Sequence, residues 1–250
     1  MCRRPLEPDP DNAGEGKNMS RKSIETQVLA EIIVFVALSG VLYSIRPFSL
    51  PYGGSVTLGS MVPVMWLSVR RGPKVGIFAG AVFGLVALPI DVLLLPYSPI
   101  ANPAQVVLDY PLAFSMLGLV GLFKARGERP KDMAEVGAYA LLCALCFVGA
   151  ILQSVFWLFP AVLFFALAVW KVVEKRAWRS LMIGVTVAGV GKFLSHFVSG
   201  VLFWSSYAPA QMGPVVYSAV YNASFLIPEF IISAFLMYLL IKRGTLKIPL

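Results

Sequence analysis

Charge is scarce in this chain. Only 14% of its 250 residues are Asp, Glu, Lys or Arg, against about 25% in an ordinary soluble domain. A water-soluble fold needs a solvated polar surface, and this composition cannot supply one. Histidine is scarcer still, with His196 alone. The three cysteines are Cys2, Cys143 and Cys146. The C-x-x-C of the last two lies inside an apolar run and reads as buried small residues, not as a zinc or redox site. No run has metal-ligand spacing, so neither a metal nor a cofactor is expected. No Walker A sequence is present, so the chain does not itself hydrolyse ATP by that route. There is no G-x-S-x-G. Ser195 and His196 are neighbours in sequence, which sets them about 100° apart around a helix and spoils a Ser–His catalytic pair. No enzymatic activity is expected. No signal peptide is expected: the first 18 residues are polar, with Pro, Asp and Gly. Residues 1–22 read as a disordered polar N-terminus, and Met19 is an alternative start.

What is abundant is apolar. Hydrophobic residues make up 58% and the mean hydropathy is +0.78. They come in long blocks, and a bilayer span needs roughly 20 such residues. The expected fold is an all-α integral membrane protein with about eight spans, at 27–45, 55–70, 74–96, 104–124, 135–156, 158–174, 180–204 and 217–241. The net charge of +8 does not point to nucleic acid, because the positive residues sit in short clusters between apolar blocks. Those clusters mark every second loop: Arg21 and Lys22; Arg70, Arg71 and Lys74; Lys124, Arg126, Arg129 and Lys131; Lys171, Lys175, Arg176 and Arg179; Lys242, Arg243 and Lys247. The alternate loops hold only Arg46. Eight spans with both termini cytoplasmic, in the cell membrane, satisfy that alternation. Gly72, Gly76, Gly80 and Gly84 recur every four residues and predict close helix packing.

Polar groups within hydrocarbon are expensive, so each is a site hypothesis. The seventh span carries Lys192, His196, Gly200 and Trp204 four residues apart, on one slowly drifting helical face. The fourth brings in Gln105, Asp109 and Tyr110 from the outer side. Asp109 has two available roles, as a partner for Lys192 or as the counter-charge to a cationic ligand. The eighth starts outside with Tyr217 and Asn222 and holds Glu229 deeper, after Pro228. Glu229 reads as structural or as part of a motion, not as a ligand contact. Asp91 and Tyr97 lie near the second outer loop. Asp109, Tyr110, His196, Trp204, Tyr217 and Asn222 therefore share one depth in the outer half. An aromatic, acidic and amide-bearing set of this kind suits a small, flat, cationic heterocycle.

Several stretches carry a family resemblance. They are Gly53–Pro63 (GGSVTLGSMVP), Arg70-Arg71-Gly72, Leu108–Phe114 (LDYPLAF), Gly118–Phe123 (GLVGLF), and the block from His196 through Trp204, Tyr207-Ala208-Pro209, Tyr217-Ser218 and Tyr221-Asn222 to Pro228-Glu229. The chain resembles the thiamine-specific substrate-binding subunits of energy-coupling factor (ECF) transporters. The resemblance implies a six-helix core without enzymatic activity, which binds thiamine near the outer face. It also implies a membrane coupling subunit and two cytoplasmic ATPase subunits as partners. It places Asp109 by the thiazolium ring, and His196, Tyr217 and Asn222 at polar contacts to the vitamin. Trp204 matches a stacking ring, Gly200 a backbone contact, and Tyr110 and Lys192 the hydroxyethyl or phosphate end. Tyr52 and Tyr97 are lid or secondary contacts. The first outer loop offers Phe48 and Tyr52 where some members have a tryptophan, and the first span lacks the family's A-x-x-x-A docking pattern.

The resulting division is a polar N-terminus (1–22), a core of four spans (23–126), an inserted helical pair (130–178), and a core of two further spans with a basic tail (179–250). An even number of inserted spans leaves the flanking helices oriented as before. Two other transport readings compete: a binding subunit for another vitamin, and a self-sufficient secondary transporter using Asp109, Lys192 and Glu229 as a proton relay. Against the second stands the lack of a visible internal repeat.

Overall fold

The computed structural model describes residues 10–50, 53–96, 98–123, 142 and 176–243, and only the backbone of 10–23 and 176–179. Apart from residue 142, the expected fifth and sixth spans lie outside them. Tyr52 and Tyr97 lie outside them too. The described residues are almost wholly helical, and five helical stretches are long and apolar enough to cross a bilayer.

Helix α1 spans Pro10–Ser44. It begins well before residue 27 and inside the stretch expected to be disordered. Proline suits a first helical position, where its missing N–H would have had no partner. The buried stripe of α1 is Ile32, Val36, Ser39 and Tyr43, at alternating steps of four and three. Ile33, Val34, Leu38 and Val41 face outward, as lipid-exposed positions do.

The expected second span, 55–70, is not a single helix. A two-residue strand β1 (Phe48–Ser49) pairs antiparallel with β2 (Ser55–Val56). Only then does α2 begin, at Val62–Arg71. Ten residues rise about 15 Å, half a bilayer core. Non-helical backbone at membrane depth is tolerated only inside protein. That condition holds here: Val56, Thr57 and Ser60 are buried, as is every residue of α2 from Val62 to Ser68.

Gly72, at φ 97°, turns the chain directly into α3 (Pro73–Leu94). It is therefore a turn residue and leaves the predicted packing stripe. The other three glycines do pack. A Cβ on Gly76 would lie 2.2 Å from the Ser68 side chain, one on Gly80 2.3 Å from the Phe114 carbonyl oxygen, and one on Gly84 2.4 Å from that of Tyr110. Helix α4 (Pro103–Leu122) thus lies against α3 backbone to backbone.

Helix α4 is irregular. An α-helical turn (Pro103–Val107) leads into a π-helical segment (Leu108–Leu112), a short α turn (Ala113–Ser115) and a 3-10 stretch (Met116–Leu122). Pro111 lies inside the π segment. It has no N–H to give to the preceding turn and its ring crowds the carbonyl there, and π-bulges absorb such interruptions. Helices α5 (Arg176–Phe203) and α6 (Pro214–Lys242) complete the bundle, joined through a 3-10 turn at Ser205–Tyr207. The Glu31–Arg71 ion pair ties α1 to α2 at the basic end. The opposite end opens into a cleft.

Candidate ligand-binding site

The cleft lies between α1, α3, α4, α5 and α6, under the β1–β2 hairpin. It holds roughly 840 Å³ of open space including its solvent-filled mouth. All eight residues expected at the site line it: Asp109, Tyr110, Lys192, His196, Gly200, Trp204, Tyr217 and Asn222.

Asp109 and Tyr110 project from the π segment of α4. Asp109 accepts from Gln105 Nε2 at 2.6 Å, and its other oxygen meets His196 Nδ1 at 3.1 Å. The widened π turn is itself anchored, since the Leu108 carbonyl accepts from Ser195 Oγ at 2.6 Å. The adjacent residues Ser195 and His196 thus serve different partners, as their angular separation requires.

Lys192 does not pair with Asp109. Its Nζ donates to Glu229 Oε2 at 3.0 Å, touches Met61 Sδ at 3.5 Å and sits 4.4 Å from the centre of the Phe114 ring. Thr57 Oγ1 and Ser60 Oγ donate to the other Glu229 oxygen. This is a buried ion pair whose partners are supplied by the irregular segment before α2. Of the Asp109–Lys192–Glu229 relay, the direct contact present is Lys192–Glu229, while Asp109 bonds to Gln105 and His196. Glu229 nonetheless lines the cleft floor, a position the sequence reading did not assign to it.

Asn222 is buried, and its amide nitrogen is fully engaged by the protein. Its two protons are shared among the Ser218 carbonyl at 2.9 Å, Ser218 Oγ at 3.2 Å and the His196 carbonyl at 3.3 Å. The side-chain oxygen is then the group available to a ligand donor. Gly200 lets α6 approach this closely, because a Cβ there would lie 2.2 Å from Ser218 Oγ and 3.2 Å from Asn222 Nδ2.

Aromatic rings form the outer wall. Trp204, at the end of α5, lies 5.6 Å from Tyr207, and Tyr217 lies 5.7 Å from Tyr221. The Tyr221 hydroxyl accepts from the Gly54 amide at 2.9 Å and so pins the hairpin over the cleft. Gly54 packs on the Phe225 ring, where a Cβ would come to 2.5 Å. Gly53, Gly54 and Ser55 line the cleft as well. The sequence signal for this cover was the Gly53-Gly54 pair, which reads only as a turn without its partner Tyr221.

A further polar group was missed as a unit. Asp91 accepts from Tyr43 at 3.1 Å and from Tyr110 at 2.8 Å on one oxygen, and pairs through the other with Arg46. Each of these residues is visible in the sequence, but their meeting depends on three separate helix ends.

Three comparisons bear on the chain as a whole. A family model described as "Thiamine transporter protein (Thia_YuaJ)" matches residues 29–248. The thiamine transporter ThiT of Bacillus subtilis (strain 168) is 28% identical over 214 residues, covering 85% of this chain and 88% of that protein. The thiamine transporter ThiT of Lacticaseibacillus paracasei is 24% identical over 204 residues, covering 80% and 76%. The solved structure of ThiT from Listeria monocytogenes superposes with a TM-score of 0.60 at 23% identity, over 90% of this chain and 99% of that one. That likeness establishes a shared fold.

Proposed function

The chain belongs to the thiamine transporter protein family, and on that footing we propose that its cleft captures thiamine for uptake across the cell membrane. The observation that carries this reading is the convergence of Asp109, His196, Trp204, Tyr217 and Asn222 on one cleft. Thiamine brings an aminopyrimidine, a cationic thiazolium and a hydroxyethyl group. Lys192 has Glu229 and Arg46 has Asp91, so Asp109 is the cleft carboxylate without a lysine or arginine partner among the described residues. It is the counter-charge we assign to the thiazolium. Asn222 would accept from the exocyclic amine, with His196 and Tyr217 at the remaining polar edges. Trp204 would stack on the vitamin, and each well-placed ring contributes roughly 0.5–2 kcal/mol.

The chain acts, in this reading, as the substrate-capture subunit of an ATP-driven ECF transporter, with a membrane coupling subunit and two cytoplasmic ATPase subunits. It performs no chemistry of its own. Both termini are cytoplasmic, two inserted spans within 130–178 join a six-helix core, and the cleft opens outward, as the alternation of basic loops supports. Labelled thiamine binding to the purified chain tests the proposal. Stoichiometric binding that is lost in Asn222→Ala supports it, whereas no detectable binding refutes it. Proteoliposomes containing the chain alone should bind thiamine without accumulating it. Accumulation driven by a proton gradient would instead establish a secondary transporter.

A further inference from the structure

Thiamine ends in a primary hydroxyl, which its phosphate esters replace with an anionic, acceptor-rich group. The wall built by α1, α3 and α4 bears on that difference. Tyr43, Asp91 and Tyr110 all line the cleft there. Each tyrosine donates to the same oxygen of Asp91, at 3.1 and 2.8 Å. Arg46 backs the other oxygen without itself lining the cleft. Asp91 is 4% exposed, and the Arg46 side chain 7%. Arg46 Nη1 is buried with no hydrogen-bond partner among the described residues.

A phenol has a single proton to donate. Both protons here are committed to Asp91, so the two phenolic oxygens can only accept. The carboxylate behind them is itself an acceptor. The nearby ammonium of Lys192 is engaged by Glu229 at 3.0 Å. We propose that Asp91 is a specificity-determining residue: it holds both tyrosine protons on the protein side, so that this wall accepts a free hydroxyl and rejects a phosphate ester. The inference rests on the cleft being the thiamine site. A ligand hydroxyl donates to a tyrosine oxygen at no electrostatic cost. A phosphate there meets two acceptor oxygens with no proton to give, and a carboxylate that lines the cleft in front of the Arg46 charge partly offsetting it. Unpaired acceptors and the nearer like charge both count against the ester.

Replacing Asp91 reverses both terms. In Asp91→Asn the carboxylate charge is gone, the tyrosine hydroxyls are freer to turn toward the ligand, and Arg46 gains an uncompensated charge with an unused donor. Equilibrium binding of thiamine and of thiamine monophosphate to the full chain is the test. In the wild type, thiamine binds at least about tenfold tighter than its monophosphate. In Asp91→Asn that ratio falls to within about threefold, with the ester gaining in absolute affinity. A merely structural Asp91 lowers both affinities together and leaves the ratio intact, which overturns the inference. Tyr43→Phe keeps the charges and removes one acceptor oxygen, so it serves where Asp91→Asn does not fold. It weakens thiamine and leaves the ester unchanged, and an equal loss of both also overturns the inference. Wild-type protein that binds thiamine but takes the ester equally well refutes this inference alone. Protein that binds neither refutes the thiamine reading beneath it.

Discussion

Lys192 and Glu229 meet at 3.0 Å with side chains 3% and 2% exposed. Breaking a buried pair by removing one partner strands a desolvated charge and costs roughly 3–5 kcal/mol, while replacing both with apolar residues is often nearly neutral. Lys192→Met should therefore lower the thermal midpoint of the protein in detergent substantially. The double variant Lys192→Met/Glu229→Leu should recover most of that loss. Additive losses in the double variant would show that the pair is not coupled. The sequence marked Lys192 as a polar group within hydrocarbon, and offered Asp109 as one partner. Depth decides otherwise. At about 1.5 Å per residue, Asp109 and His196 both lie about 10 Å in from the cleft-side ends of their helices, and Lys192 lies one turn deeper. Helical depth was thus legible, but the His196–Asp109 contact was not read from it. Glu229 was harder to place, because its two hydroxyl donors come from non-helical backbone at Thr57 and Ser60, and no periodicity encodes that.

At the scale of elements, α4 shows what hydropathy alone conceals. Its composition reads as one ordinary span, yet the backbone passes through α, π and 3-10 geometry within Pro103–Leu122. The π segment carries Asp109 and Tyr110, and Pro111 sits next to them. Pro111→Ala restores an N–H and removes the ring clash. It should let the segment tighten toward α-helix and rotate Asp109 away from His196. We expect thiamine affinity to fall about tenfold while the protein still folds, because a displaced carboxylate loses its charge-assisted contact. Binding measured alongside thermal stability checks this, and unchanged affinity would mean that the bulge does not position Asp109. The hydrophobic run at 55–70 misled for a related reason. Apart from the exposed Leu58, its apolar residues are mostly buried by protein, not set in a helix surrounded by lipid. Burial by protein and burial by lipid select the same residue types. The glycines at 76, 80 and 84 were legible as a packing stripe, since only close approach of a neighbour explains their spacing. Gly72 continued the count by coincidence, at a turn.

For the whole molecule, the alternation of basic clusters sets the expected orientation. With Cys2, Cys143 and Cys146 replaced, a cysteine introduced at Ser206, in the loop between α5 and α6, should react with an impermeant thiol reagent in intact cells. One at Arg243, at the far end of α6, should react only after permeabilisation. The reverse pattern would invert the molecule and turn the cleft mouth to the cytoplasm. The family resemblance was legible because the block from His196 to Glu229 holds its polar residues at fixed spacings along two helices, and those spacings survive in the folded cleft. The hairpin cover was not legible, because it depends on Tyr221 reaching Gly54 across 167 positions of sequence.

Tryptophan fluorescence tests the central claim most directly. The chain has five tryptophans, and among the described side chains Trp204 alone lines the cleft, while Trp66 is buried in the core. Titration of thiamine into the purified protein should quench emission in a saturable, stoichiometric manner. In Trp204→Phe most of that quench should vanish and the affinity should weaken. Undiminished quenching and affinity in Trp204→Phe would contradict capture of thiamine in this cleft.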